Sequence, residues 1–334
     1  MTEQMTTHKS AMDLPSGLSR RNWLLGAIAA ATLPGLGGCS TPLPLDRSPG
    51  LPKGGANAAV NPAANAAAAN ARLMASALAH GLPAYRQLND INVAYDGEWQ
   101  PLIGRIQPEI VDAGYRIRSE ERLMPRLGIN AQRYQGPKGH KQVWWQRANL
   151  AAPASVNPAG EVAVWFNGQA SSDPSVLSAS ALVAEIYGLF LLGPLWLADR
   201  NLPAELDGTE RVDGRLCDVL HLWVSPGFGQ VGLDRLSLCI DRDNHITRRM
   251  RFTLEGFAGT RGAVAETDTF DHQRRDGILW PMRSFERVLH PIRLPAHDWR
   301  ITGLDINRGY GPEQLRGPSF GGVAAQPAQA VRTV

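Results

Sequence analysis

The sequence predicts a mainly β (α+β) chain, an antiparallel meander of about 11–12 strands with an N-terminal helix and inserted apolar helices. Three observations predict it. Beyond Pro83 apolar and polar residues alternate with period two, the pattern of half-buried strands. Asp213-Gly214 and Asp276-Gly277 separate such runs and favour tight hairpins. One stretch, Pro174–Leu197, abandons alternation for a nearly continuous apolar run whose single charge is Glu185.

At the start, Ser19-Arg20-Arg21-Asn22-Trp23-Leu24-Leu25 has the arginine pair, aromatic and leucines of a twin-arginine export signal. The apolar run Trp23–Leu33 is 11 residues long. A membrane-spanning helix needs about 20, so the run is a signal core, not a permanent anchor. Leu36-Gly37-Gly38-Cys39-Ser40 then resembles the lipobox of bacterial lipoproteins. Residues 1–38 are therefore expected to be removed and Cys39 acylated, with a serine behind it that favours the outer over the inner membrane. Residues 39–65 are rich in Pro, Ala, Gly and Asn, and carry too little apolar surface to offset ordering, so they predict a flexible tether. Residues 66–310 are expected to form the folded body and 311–334 a disordered tail.

The body opens with a helix over Ala66–Leu82, with Leu73, Ala77 and Leu78 at helical spacing and Gly81 and Pro83 ending it. Strands follow at Ile91–Tyr95, Tyr115–Glu120, Ile129–Gln135, Lys141–Arg147 and Glu161–Asn167, the middle pair closing at Gly136-Pro137-Lys138-Gly139. Asp173-Pro174 is an N-cap followed by a first-turn proline and begins the apolar insert. That insert is expected either as a lid over a bound apolar molecule or as a core helix covered by protein. The meander resumes with Glu205–Val212, Arg215–Val224, Arg235–Ile240, His245–Leu254, Val264–His272, Ile278–Leu289 and Asp298–Ile306.

Composition argues against nucleic acid: 34 basic residues face 31 acidic ones, and no basic cluster stands out. Gly227-Phe228-Gly229-Gln230-Val231-Gly232 has the glycine spacing of a dinucleotide loop, but a strand follows where a helix is required, so it reads as a turn. There is no Gly-x-Ser-x-Gly elbow, and the histidines lack metal-ligand spacing, so neither catalytic residues nor a metal or other cofactor is expected. If the hairpin near Phe228 pairs residues whose numbers sum to 456, Cys217 faces Cys239. A cross-strand disulfide and two small buried thiols both remain open there.

The order of helix, five strands, apolar insert and second meander resembles the LolA/LolB-like superfamily of periplasmic lipoprotein-sorting proteins. Gly277-Ile278-Leu279-Trp280-Pro281-Met282-Arg283 is similar to that superfamily's late strand. The resemblance implies a strongly curved half-barrel whose concave face is covered by helices and holds acyl chains. Trp144, Trp165, Phe166, Leu182, Ile186 and Phe190 are the expected ligand-lining residues. The function expected is a membrane-anchored periplasmic protein that binds a lipid or other apolar ligand, in lipoprotein or lipid trafficking. The alternative is a non-catalytic envelope scaffold that binds another envelope protein.

Overall fold

The structure, a computed structural model, describes residues 61–148, 160–230 and 232–320. The signal with Arg20 and Arg21, the lipidation site Cys39 and the expected tether up to residue 60 lie outside the described residues. The first helix, α1, spans Pro62–His80. Asn61 caps it by accepting from the Ala63 amide, and Gly81 ends it in the left-handed conformation (φ 98°). It therefore begins four residues before the expected boundary, inside the stretch read as tether. A short turn of helix, α2 (Leu82–Tyr85), follows.

The chain next builds β1 (Ile91–Trp99), two short helices α3 (Pro101–Ile106) and α4 (Pro108–Val111), then β2 (Arg118–Met124), β3 (Ile129–Gly136), β4 (Gly139–Gln146), β5 (Glu161–Phe166) and β6 (Gln169–Ala170). The apolar insert is α5 (Pro174–Leu192) and α6 (Pro194–Ala198). The second meander comprises β7 (Ala204–Val212), β8 (Arg215–Val224), β9 (Asp234–Asp241), β10 (Thr247–Thr253) and β11 (Val264–Phe270). It continues through β12 (Gln273–Arg275), β13 (Ile278–Trp280), β14 (Arg283–His290) and β15 (Leu294–Ile306). Both proline-led helices, α3 and α4, escape the sequence reading because one or two turns leave no helical period to detect.

Thirteen strands form one antiparallel sheet in the order β6-β5-β4-β3-β2-β1-β15-β14-β11-β10-β9-β8-β7. The last strand pairs with the first, Ile91 opposite Ile306, so the two meanders join mid-sheet while β6 and β7 remain unpaired edges. The result is an open, curved half-barrel. The edge at β7 is covered by α1, where Asn65 exchanges two hydrogen bonds with the Leu206 backbone (3.1 and 2.7 Å).

Three expectations need correction. Tyr115–Ile117 is a turn rather than strand, because Asp112 takes a left-handed conformation (φ 53°) and accepts from the amides of Tyr115 and Arg116. The expected strand Ile278–Leu289 breaks at Pro281, which has no amide to donate to a ladder. Asp276-Gly277 consequently joins the small β12–β13 hairpin, not the long strands β11 and β14. Residues 311–320, expected in a disordered tail, pack instead on the outer face, with Leu315 and Phe320 buried beside Met124, Ile129, Ala131 and Trp144.

Candidate functional site

Side chains alternate across the sheet, and the inner face forms a trough. Along β8–β10 it presents Leu220, Leu222, Leu236, Leu238, Met250 and Phe252, all buried in one apolar core with α1, α5 and α6. The helix α5 lies in this trough. Among the described residues it is the one helix long and apolar enough to cross a membrane, yet most of it is buried within the fold. Leu182, Ile186 and Phe190, three of the expected lining residues, belong to this helix and this core. Phe190 meets Phe252 and Trp299 with ring centroids 5.5 and 5.1 Å apart.

The insert is thus a core helix covered by protein, and it occupies the trough. Two gaps beside it hold about 10 Å³ each, close to the room for a single water. One of these lies between the ends of α1 and α5, beside His80 and His272. Burial drives the His80 imidazole down to about 3, and its Nε2 accepts from the Thr247 amide at 3.1 Å, a bond only the neutral ring can accept. His272 falls to about 4 for the same reason.

α5 is fastened through its single charge. Glu185 forms an ion pair with Arg147 at 2.5 Å and accepts from the Gly229 amide at 2.8 Å. Ala184 adds a backbone carbonyl that accepts from Asn130 Nδ2 at 2.7 Å. Gly229, the centre of the glycine motif, has φ 65°, and a Cβ there would lie 3.1 Å from Leu182. The motif is therefore a turn, and its glycine permits close approach to α5.

The other gap opens a polar cluster that the sequence reading missed. Arg116 reaches inward from the turn before β2, while Ile117 next to it is 55% exposed. Its guanidinium faces the rings of Trp99, Tyr134 and Tyr187 at 5.3, 4.7 and 4.5 Å. Nη1 donates to the Ile110 carbonyl at 3.1 Å, and Nη2 has no hydrogen-bond partner. Strand alternation brings Glu121 from β2 and Glu286 from β14 to the same inner face. Burial pushes their carboxyls up, to about 8 and about 7, against the pull of Arg116. Glu121 accepts from Gln132 at 2.6 Å through one oxygen, and its other oxygen is unpartnered. The Tyr187 hydroxyl and His297 Nδ1 lie 2.8 Å apart, and burial holds His297 well below its ordinary value. No spacing in the sequence marks this cluster, because its members come from a turn, a helix and strands far apart in the chain.

Comparison with known proteins gives the following. No family model matches the chain, and no curated protein matches it. Among solved structures it is similar to a DUF1329 family protein from Desulfovibrio piger, at 10% identity and TM-score 0.46 over 75% of this chain and 97% of that one. It is similar to a LolA superfamily protein from Nitrosomonas europaea, at 12% identity and TM-score 0.38 over 74% and 97%. It is similar also to the Mycobacterium tuberculosis lipoprotein LppX, at 14% identity and TM-score 0.23 over 57% and 90%.

The remaining expected site residues are placed as follows. Phe166 is on the inner face, its ring 4.9 Å from Tyr115, whereas Trp144 and Trp165 are on the outer face beneath the C-terminal segment. The two tryptophans therefore cannot line the trough: Val143 and Trp145 flank Trp144 and, by alternation, take the inner positions. The β8–β9 register sums to 458, not 456, so Cys217 faces Asp241 and Cys239 faces Val219. Both thiols are free and buried on the outer face. Next to them Arg249 and Arg251 reach Glu210 (both 2.8 Å), and Arg249 also pairs with Asp268.

Proposed function

We propose that this chain is a non-enzymatic lipoprotein, tethered through acylated Cys39 on the periplasmic side of the envelope, outer membrane rather than inner. Its body binds a lipid or other apolar ligand, which takes the place of α5 in the trough. One observation carries this reading: a wide apolar trough is filled by a helix with a single charge, joined to its neighbour by Gly193-Pro194. A hydrocarbon chain offers the same wall equivalent contacts, and its own burial contributes roughly 0.8 kcal/mol per CH2. A Cβ at Gly193 would meet nothing within 4 Å, so this joint has room to change angle. Lipid extraction and native mass spectrometry of the protein purified from envelopes test it. A bound lipid of defined mass is the expected result. Protein that stays empty when offered lipid, with Phe190 and Trp299 unmoved, would overturn it.

The filled trough also supports a second reading, a scaffold that uses its surface to hold another envelope protein. Crosslinking in cells separates the two, since a scaffold yields a stoichiometric protein partner from lipid-free material.

A further inference from the structure

The inner face has two chemistries. Along the middle of β8–β10 it is apolar, with Asp218 and Thr247 at one end bonded to α1, whereas toward β1–β4 and β14–β15 it carries Glu121, Gln132, Tyr134, Glu286 and His297 around Arg116. A trough built for a neutral hydrocarbon has no need of the second region. Building it costs stability, because a buried guanidinium without a fixed counter-ion is unfavourable.

Two other cations on this face have counter-ions: Arg147 pairs with Glu185, and Lys141 with Asp112 at 2.6 Å. Arg200, which stacks on Trp196 and has no ion pair among the described residues, does not line the gap beside Arg116. Arg116 forms no ion pair among the described residues, and its Nη2 is unpartnered beside the gap it lines. Glu121 and Glu286 share the inner face with it, yet burial keeps both protonated up to about pH 8 and about pH 7. The charge of Asp112 also reaches Arg116, but that carboxylate is already paired with Lys141, and the other titratable neighbours add no negative charge. Tyr95 on β1, Tyr134 on β3 and Tyr187 on α5 are raised above their ordinary value, and His297 on β15 stays neutral. At the mouth, Asp96 and Arg118 are exposed to solvent.

We infer that the ligand is an anionic amphiphile, whose carboxylate or phosphate head sits on Arg116 while its hydrocarbon chain runs along β8–β10. This rests on the lipid-binding reading above. Guanidinium is the side chain best matched to such heads, through two parallel N–H donors. One of the three rings on Arg116 is Tyr187 of α5, so the displacement that admits the chain also uncovers the cation. A free acetate or phosphate ion has no chain to displace α5, and about 10 Å³ does not admit it. The bound head also favours the protonated forms of Glu121 and Glu286, so binding takes up protons and tightens as pH falls.

Titration calorimetry on the full chain bearing Cys39→Ser, which lacks its own acyl chains, tests this with dodecanoate, dodecanol, acetate and inorganic phosphate. At about pH 6.5 dodecanoate is expected to bind at least about tenfold more tightly than dodecanol, and this preference shrinks by about pH 8.5. Arg116→Met is expected to abolish the preference for dodecanoate over dodecanol. Equal binding of the two amphiphiles by the parent protein overturns the inference whether or not that variant folds. So does a preference that survives Arg116→Met, or acetate or phosphate binding as tightly as dodecanoate. Failure of both amphiphiles to bind overturns the lipid-binding reading itself.

Discussion

Glu121 and Glu286 hold protons that water would remove from them. In an unfolded chain a glutamate titrates near pH ~4.3, whereas these titrate at about 8 and about 7. Between those limits the native state binds more protons, so stability falls as pH rises through that window. His80, His272 and His297 act in the opposite direction. Their depressed values mean the unfolded chain takes up protons first, and stability falls as pH drops below about 6.5. Urea unfolding across pH should therefore show a maximum near pH ~6–7. Glu121→Gln should flatten the alkaline side by about 1–3 kcal/mol, and an unchanged slope would remove Glu121 from the account. Cys217 and Cys239, diagonal in the ladder and buried, should react with a thiol reagent only on unfolding, and a disulfide found by non-reducing mass mapping would contradict that register.

At the scale of elements, α5 is held by one charge and one close approach. Glu185→Gln leaves Arg147 buried without its counter-ion, and should cost about 3 kcal/mol in equilibrium unfolding while quickening lipid uptake. Slower uptake in that variant would show that the pair guides ligand in instead of holding the helix down. Gly229→Ala combines a left-handed backbone with a Cβ 3.1 Å from Leu182, and should cost about 1–3 kcal/mol. The apolar run of α5 and its Asp173-Pro174 start are plain in the sequence, as are the β7–β8 hairpin at Asp213-Gly214 and the Gly81 stop of α1. What the helix packs against is not, because a helix apolar all round has the same composition under a ligand as inside a core.

For the whole molecule, two meanders meet at β1 and β15, and α1 covers the edge strand β7. Leu73→Ala on that helix should cost about 2–5 kcal/mol and expose the β7 edge, read as both a lower Tm and self-association. Cys39→Ser should release the protein from the membrane fraction to the soluble periplasmic fraction without changing its Tm. A variant still held in the membrane fraction would place the anchor elsewhere.

The sequence by itself determined the mainly β meander, the apolar insert and the Gly81 end of the first helix, since period, turn residues and caps are local properties of the chain. It also contained the pattern on which the tether and anchor at Cys39 are proposed. Only the tertiary structure decided that the trough is filled, that Trp144 and Trp165 face outward, and that Arg116 sits with Glu121, Glu286 and His297 inside. The physical reason is register. A two-residue slip separates Cys217 from Cys239, and a turn in place of three strand residues sends Arg116 inward. The first depends on which residue lies opposite which across two strands, a pairing that no local pattern encodes, and the second on the left-handed backbone of Asp112.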